Sequence, residues 1–338
     1  MTNKILVAIL LFVIGAAAQA QTATPDDSLT STRPSAGGPP DEVQVLLGLV
    51  DIAGIDDREQ IFKVDIYVEI QWQDPRLAIE DAAAGDLRTF EIDEIWSPRL
   101  LVVNDRGLDV LLPQVATVDR DGTVTARQRL AGPLAVDLNL RDFPFDTQRL
   151  PIEVVSYQYT AAEIVYTDSS KLVAKLDELK SDGWAYSMLE PEPFVYKLQD
   201  EGRGGSGIAF AIEAKRDASY YVFTLALPMT LILFLAWMSH WLPVSVIPPR
   251  MGMASATVFS LIAFGVSFRL TLPRIAYLTD ADRFVLYSTL LVLLSLAVTV
   301  TTIRWASTDR EAAAERLSLR ARQAFPLLYG LIVLTALP

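Results

Sequence analysis

The sequence predicts an all-β sandwich of the immunoglobulin-like kind, followed by a transmembrane bundle of four α-helices. Residues 41–217 carry 34 Asp and Glu against 18 Lys and Arg, in short runs where apolar and polar residues alternate. Residues 218–338 contain apolar runs of membrane length, with only 9 Arg and 5 acidic residues. With 51% hydrophobic residues the chain is too apolar for one soluble domain, yet its charge excludes a fold lying wholly in lipid.

The first forty residues have the composition of segments that precede a folded domain. Lys4, the apolar run Ile5–Ile14 and the small residues of Ala18–Ala20 predict a cleaved signal peptide over residues 1–20. An uncleaved anchor is the alternative, but this apolar run is too short to span a bilayer. Residues 21–40 are rich in Pro, Thr, Ser and Gly, and we expect a disordered tether there. The chain has no Cys, so disulfide bonds are excluded.

Short alternating runs between turn residues predict the strands of the sandwich. Alternation places one face of each strand in a core, and turn residues such as Asp121 and Gly122 separate the runs. Many short strands at this spacing are typical of an antiparallel sandwich. The predicted strands are Val43–Val50, Ile61–Trp72, Leu108–Thr117, Thr123–Leu130, Gln148–Tyr157, Phe194–Leu198 and Ile208–Ala214.

Four apolar segments follow the strands, and each approaches the ~20 residues needed to cross a bilayer. The last segment is the weakest, because Arg320 and Arg322 interrupt its first half. The four segments are residues 221–242, 251–272, 284–303 and 317–337.

The distribution of arginine predicts how these segments are oriented. The predicted inner flanks hold Arg250, Arg304, Arg310, Arg316, Arg320 and Arg322, and the outer loop holds Arg269, Arg274 and Arg283. Because positive charge favours the inner side, we expect a multi-pass protein of the inner membrane with both termini on its outer side. The lipid bilayer is therefore a predicted partner. Nucleic acid is not, because the outer domain is acidic.

The second apolar segment has an unusual polar content. Between Arg250 and Arg269 it keeps two Gly, three Ser and a Thr among its apolar residues. A lipid-facing helix must find partners for such hydroxyls inside the bilayer. The segment is therefore predicted to face other protein or a water-filled lumen.

Five motifs, in order along the chain, resemble those of the pentameric ligand-gated ion channel family, the Cys-loop receptors, and specifically its bacterial branch. They are Trp72–Leu77, Ile95–Pro98, Phe143–Asp146, Arg216 with Tyr220, Tyr221 and Pro228, and Leu272–Arg274. The chain lacks the cysteines that close the loop around Phe143–Asp146 in other members. The resemblance implies a homopentamer around a central pore, opened by a small extracellular ligand and conducting ions.

The resemblance also implies which residues line the pore. The carried-over register puts Gly252, Ala256, Phe259, Ala263, Val266 and Leu270 on the lumen. Their spacings of 4, 3, 4, 3 and 4 lie on one face of a helix. Phe259 and Val266 then form a hydrophobic constriction that gates by dewetting. The alternative is a register turned toward the polar stripe of Thr257, Ser260 and Ser267.

Ion selectivity is expected to depend on the inner mouth of the pore. Pro248, Pro249 and Arg250 resemble the Pro-Ala-Arg of anion-selective members, and no Glu ring is present. Five Arg250 side chains and five helix N-termini favour an anion, so we predict chloride selectivity. The acidic outer domain favours cations instead, and a cation-selective channel stays open as the alternative.

By resemblance to amine-gated bacterial members, three tyrosines are expected to bind the ligand. Tyr157 and Tyr196 match the principal face of the site between subunits, and Tyr67 matches the complementary face. Such an aromatic cage holds an ammonium group by cation–π attraction. Half-buried packing on a strand explains each tyrosine equally well. Gating by protons, through the many carboxylates, is a further alternative.

The resemblance places the coupling between the two domains at Arg216. This residue is expected to pair with Asp146 and with either Asp56 or Asp57, beside Pro273 in the loop after the pore helix. A guanidinium between two partly buried carboxylates holds a fixed geometry. The alternative is that Asp146 only caps its own turn.

Other functional classes find little support in the sequence. His240 is the only His and no Cys is present, so metal or nucleophile chemistry has no basis, and we expect no enzyme, metal or cofactor. His240 lies beside Trp241, and we expect it at the inner membrane interface. A membrane-tethered binding protein without a pore is the remaining alternative, but it leaves the polar second segment unexplained.

Overall fold

The computed structural model of the protein describes residues 31–79, 87–167, 169–174, 183–197, 204–269 and 275–336. The predicted signal peptide, the predicted pore residue Leu270 and the predicted coupling residue Pro273 lie outside these ranges.

Thirteen strands in the described residues form two facing sheets. The first sheet has the order β10-β1-β2-β7-β6-β3, with β5 on β7 and β9 on β1, and the second has the order β11-β13-β8-β4, with β12 on β13. The strands are β1 (Asp41–Asp56), β2 (Ile61–Gln73), β3 (Leu87–Glu91), β4 (Leu100–Val102), β5 (Asp109–Val110), β6 (Val115–Asp119), β7 (Thr123–Ala135), β8 (Thr147–Thr160), β9 (Ile164–Tyr166), β10 (Lys171–Ala174), β11 (Trp184–Met188), β12 (Glu192–Lys197) and β13 (Gly204–Arg216).

Alternation along the strands builds the core of the sandwich, as the sequence pattern predicts. On β1 the alternate residues Val43, Val45 and Leu47 are buried, and the residues between them are not. Phe210 and Ile212 of β13 close the core from the second sheet. Successive side chains of a strand point to opposite faces, so every second residue of a strand reaches the core between the two sheets.

Two of the sequence motifs have a structural role inside this core. Trp96 is fully buried, and its Nε1 donates a hydrogen bond to the Tyr159 hydroxyl at 2.8 Å. The Trp72 ring packs edge-on against Trp96, with centroids 6.0 Å apart. The buried Asp74 accepts from the Arg76 side chain at 2.8 Å and caps the short 3-10 turn that follows it. These contacts join the end of β2 to the turn before β4.

The structure differs from the predicted strands in several places. The predicted strand Leu108–Thr117 is two strands, β5 and β6, because the chain turns at Pro113, whose carbonyl accepts from Val115 N at 3.0 Å. The short strands β3, β4, β9, β10 and β11 were not predicted, since three to five residues carry too little alternation to be recognised.

The last part of the predicted tether is ordered rather than disordered. Residues 33–40 form turns that Arg33 closes, because its guanidinium donates to Asp41 Oδ2 at 2.9 Å and to the Pro39 carbonyl at 2.8 Å. Ser35 N donates to the other oxygen of Asp41 at 3.0 Å. The Arg33–Asp41 ion pair is mostly buried, so this segment packs on the start of β1.

In the described residues, four helices follow the sandwich: α1 (Ser219–Trp241), α2 (Ile247–Arg269), α3 (Asp280–Ala306) and α4 (Glu311–Ala336). Among the described residues, α1, α2 and α3 are long and apolar enough to cross a membrane. A π-helical turn over Val222–Ala226 precedes Pro228 in α1, which has no N–H to continue the α-helical ladder. The fourth helix begins six residues before the predicted start, because Ala, Glu and Arg favour helix where hydropathy is low.

The connection between the last two helices is short. Only residues 307–310 connect α3 to α4.

The loop between β7 and β8 docks the sandwich on the helices. Asp280 N donates to the Arg141 carbonyl at 2.9 Å, and Ala281 N donates to the Phe143 carbonyl at 3.1 Å. Leu140 N donates to the Tyr277 hydroxyl at 3.0 Å. The first N–H groups of a helix have no partner within it, so this loop supplies carbonyls to the start of α3.

Removing the Tyr159 hydroxyl should destabilise the sandwich. Tyr159→Phe leaves the buried Trp96 Nε1 without its acceptor, which costs about 1–3 kcal/mol of unfolding free energy. Thermal unfolding of the purified protein measures the loss. Tyr157→Phe, two residues along the same strand and 57% exposed, is the matched control, and an equal effect of both changes would contradict the role of the hydrogen bond.

Candidate functional site

A buried arginine lies where the sandwich meets the helices. Arg216 ends β13, and its side chain is 4% exposed. Its guanidinium donates to both oxygens of Asp57 at 2.7 and 2.8 Å. It also donates to both oxygens of Asp146 at 2.8 and 3.2 Å. Two bidentate pairs on one guanidinium fix its plane and join three segments that are far apart in sequence.

Aromatic rings surround the same guanidinium. Its central carbon lies 4.1 Å from the Trp184 ring centroid, 4.9 Å from that of Phe143 and 5.7 Å from that of Tyr221. The Tyr221 hydroxyl also accepts from Arg216 Nη1 at 3.4 Å. Since Tyr221 belongs to α1, this arginine contacts both domains.

The electrostatics of this cluster keep the arginine charged. Burial alone would lower the pKa of Arg216, but its hydrogen bonds with Asp57 and Asp146 outweigh burial, so its pKa is raised above the ordinary value. A charge in such a buried place is stable only while its partners stay ionised and in place.

The structure distinguishes between the two candidate aspartates of the first turn. Asp57 contacts Arg216, whereas Asp56 accepts from the backbone N–H groups of Arg58 and Glu59 at 2.8 and 3.0 Å and so closes its own turn. The Asp146 carboxylate accepts from Arg216 and from the Gln148 side chain. Asp146 thus does more than cap its own turn.

Helix α2 presents the predicted pore residues on an open face. Phe259 and Val266 are 72% and 60% exposed in the single chain, and Gly252, Ala256 and Ala263 are exposed as well. The polar stripe of Thr257, Ser260 and Ser267, the alternative pore face, is partly buried and partly exposed. Thr257 is 2% exposed and donates to the Ala254 carbonyl at 2.8 Å, whereas Ser260 and Ser267 are exposed at the edge of the open face.

The structure contradicts the predicted position of Arg250. Its side chain is fully buried within the helical bundle of one chain, where Nη2 donates to Ser318 Oγ of α4 at 2.8 Å. A side chain held there cannot line a lumen, so the argument from five Arg250 guanidinium groups is wrong. Pro248 and Pro249, in the first turn of α2, are exposed.

His240 is also placed differently from the prediction. It is buried rather than interfacial, since its Nε2 lies 2.9 Å from Ser295 Oγ of α3. Its carbonyl accepts from Ser318 Oγ at 3.2 Å, so His240 and Arg250 share one serine.

The three tyrosines of the predicted ligand site lie on different sheets. Tyr157 of β8 is exposed, and Tyr196 of β12 is half-buried on the same sheet. Tyr67 lies on β2 of the other sheet, half-buried and paired with Gly48 and Arg129. No contact in the described part of the chain joins Tyr67 to the other two.

Sequence reasoning missed two residues of the junction. Trp184 gives the shortest ring contact to Arg216, but a lone Trp at the start of a short strand carries no signal of that role. Tyr277 contacts the β7–β8 loop, and its position shortly after the Leu272–Arg274 motif is the one hint that the sequence offered.

Comparison with known proteins agrees with this architecture. Residues 28–188 match the model of the neurotransmitter-gated ion-channel ligand binding domain, and residues 225–328 match that of the neurotransmitter-gated ion-channel transmembrane region. A proton-gated ion channel of Gloeobacter violaceus (strain ATCC 29082 / PCC 7421) is 25% identical over 306 residues, which is 89% of this chain and 84% of that relative. This chain belongs to the neurotransmitter-gated ion-channel family, the pentameric ligand-gated channels, and is an ion channel rather than an enzyme.

Proposed function

We propose that the chain forms a homopentameric channel of the bacterial inner membrane, with residues 41–217 outside and residues 218–338 in the bilayer. Five copies place α2 around the axis, and both termini lie on the periplasmic side. The observation that carries the proposal is the cluster of Arg216 with Asp57 and Asp146, because it joins the part that senses a ligand to the part that conducts.

The contacts of the junction define a path for the signal. Asp57 lies in the β1–β2 turn, Asp146 ends the β7–β8 loop, and Arg216 leads directly into α1. The β7–β8 loop also contacts the start of α3, which packs against α2. A rigid movement of the sandwich therefore displaces α1 and α3 together, and with them the pore helix.

Rings of Phe259 and Val266 form the gate in this proposal. Both side chains are apolar and exposed in the single chain, and they lie seven residues apart on one face of α2. Five phenylalanines around a narrow axis exclude water, and an ion cannot pass a dewetted segment. Leu270 belongs to the same face in the register carried over from the family.

Anion selectivity is part of the proposal, but its support no longer includes a ring of Arg250 side chains. No Asp or Glu occurs from Pro243 to Met253, and the positive end of the α2 helix dipole faces the inner mouth in this proposal. Pro248 and Pro249 in the first turn have no N–H to donate, so the dipole acts there without hydrogen bonds from these two residues. Helix N-termini stabilise negative charge by about 0.3–1 kcal/mol each. Pro248 and Pro249 form an uncharged ring there, and Arg250 makes no contribution from inside the bundle.

The proposed stimulus is a small extracellular amine that binds at the boundary between two subunits. Tyr157 and Tyr196 of one subunit lie on one sheet, and Tyr67 lies on the other, so two adjacent copies are needed to complete a cage. Tyrosine faces attract an ammonium group by about 0.5–2 kcal/mol.

A proton-gated, cation-selective channel is the second candidate. The similar protein of Gloeobacter violaceus is named a proton-gated ion channel, and the outer domain here has 34 acidic against 18 basic residues. Such a domain concentrates cations near the vestibule. Current evoked by acid steps without any amine favours this candidate over the first.

Neutralising Asp57 should weaken coupling without preventing folding. Asp57→Asn removes one of the two charges that hold Arg216, and we expect at least about tenfold lower agonist or acid sensitivity, equivalent to ~1.4 kcal/mol of coupling. Voltage-clamp recording at matched surface expression measures it. Asp56→Asn is the neighbouring control, and identical responses of the two variants would rule out this ion pair as the coupling element.

Replacing the ring of Phe259 should hydrate the pore. Phe259→Ser is expected to raise resting conductance or agonist sensitivity, because the constriction then binds water. Thr257→Ala, two residues away and buried, should leave conduction unchanged. The proposed register is wrong if the Thr257 variant alters conduction and the Phe259 variant does not.

Adding carboxylates at the inner mouth should reverse selectivity. With a NaCl gradient across the membrane, the wild-type reversal potential is expected to follow chloride, and that of Pro249→Glu to move toward sodium. Recording both during an amine screen and during pH steps also identifies the stimulus. A wild-type reversal potential that follows sodium would rule out anion selectivity. The assignment as a channel would still stand.

A further inference from the structure

Two side-chain hydrogen bonds join helix α1 to helix α4. Nearer the start of α1, the Thr230 hydroxyl lies 2.5 Å from the Tyr329 hydroxyl of α4. Further along, Trp237 Nε1 of α1 donates to the Arg322 carbonyl of α4 at 2.9 Å. The partners are seven residues apart on each helix and follow in opposite order. The two helices are therefore antiparallel, with the two bonds about 10 Å apart along them.

The bond between Tyr329 and Thr230 has a definite direction. Thr230 Oγ1 donates to the Ala226 carbonyl at 2.6 Å, so its single hydrogen is already used. The Tyr329 hydroxyl is therefore the donor to Thr230. A chain of two hydrogen bonds thus leads from α4 through Thr230 to the backbone of α1.

This chain ends on the irregular part of α1. Ala226 is the last residue of the π-helical turn Val222–Ala226, and Pro228 follows two residues later without an N–H. Helices bend most readily at prolines and at π turns. The turn lies between Tyr221, which contacts Arg216, and the remainder of α1. It is therefore the place where α1 can bend between the junction and the helical bundle.

The second bond fixes how far along α1 helix α4 lies. Pro326 is inside α4 and has no N–H, so the Arg322 carbonyl, four residues earlier, lacks its helical donor. Trp237 supplies a donor from α1 instead. A shift of one helical turn would move that carbonyl about 5.4 Å away and break the bond. The Tyr329 hydroxyl is thereby held beside the end of the π turn.

We propose that Tyr329 is a positioning residue, whose hydroxyl fixes the bend of α1 at the π turn and so helps to transmit movement of Arg216 to the bundle. Tyr329 and Thr230 are both half-buried, and a bond between two neutral hydroxyls keeps its strength away from water. The role in transmission rests on the proposed channel function and assigns α4 a part in it.

Removal of single hydroxyl groups tests the proposal. Tyr329→Phe loses only the donor, and Thr230→Val keeps the shape of the side chain but loses the acceptor. We expect each to lower sensitivity to tetramethylammonium or to a pH step about 3- to 10-fold at matched surface expression, the effect of one interhelical hydrogen bond. Because both changes break the same bond, the double variant should lose less than the product of the two single losses.

Two further variants separate positioning from a general loss of stability. Thr230→Ser keeps the hydroxyl and is expected to respond as the wild type does. Tyr287→Phe on α3 is the matched control, because the Tyr287 hydroxyl makes no hydrogen bond within the residues that the structure describes. A loss in Tyr287→Phe equal to that in Tyr329→Phe, or no recovery in Thr230→Ser, would overturn the proposal.

Hydrogen exchange of the purified full chain measures the π turn without any stimulus. Amides of residues 222–230 are expected to exchange about 3- to 10-fold faster in Tyr329→Phe and Thr230→Val than in the wild type or Tyr287→Phe, and those of β13 to stay unchanged. Unchanged exchange at the turn overturns the hold of Tyr329 on it. Faster exchange with unchanged sensitivity overturns the role in transmission. A wild type that conducts under no stimulus refutes the proposed channel function, and exchange then decides alone whether Tyr329 fixes the turn.

Discussion

The junction between the sandwich and the helices depends on one buried charge, that of Arg216. Arg216 is held by two carboxylates and three aromatic rings at the only point where the end of the last strand, the β1–β2 turn and the β7–β8 loop meet in the described part of the chain. Removing one partner from such a buried pair typically costs about 3–5 kcal/mol, a large part of the ~5–15 kcal/mol that stabilises a whole domain. The sandwich and the helices therefore cannot change their relative position without a change at this arginine. A channel that transmits a signal between its two domains needs such a connection.

Much of the fold was predictable, because it rests on local periodicity. Alternation along β1, β2, β7, β8 and β13 is long enough to be recognised, and α1, α2 and α3 are recognisable by apolar length. The short edge strands were not predictable, because partners far along the chain determine them. The start of α4 was missed for another reason, since its first turns are helical through Ala and Glu rather than through apolar residues.

The candidate site, like the fold, was predictable only in part. Arg216 and Asp146 were expected from motifs, but the choice of Asp57 over Asp56 depends on a turn whose shape no motif specifies. The direction of Arg250 was also not predictable. Small and apolar residues occur nearly all round α2, and its polar stripe of Thr257, Ser260 and Ser267 competes with the apolar face of Phe259 and Val266, so the sequence alone does not orient the helix. Its orientation follows from packing against α1, α3 and α4.

The burial of Arg250 has a mechanical consequence for the pore. Its bond to Ser318 ties the inner end of α2 to α4, and Ser318 is itself bonded to the end of α1. The inner end of the pore helix is thus a fixed pivot. A tilt of about 5° around it moves Phe259, nine residues further along, by about 1 Å, and Val266 by about 2 Å, since each residue adds about 1.5 Å of lever arm. Small rotations therefore widen the outer half of the lumen while the inner mouth keeps its diameter.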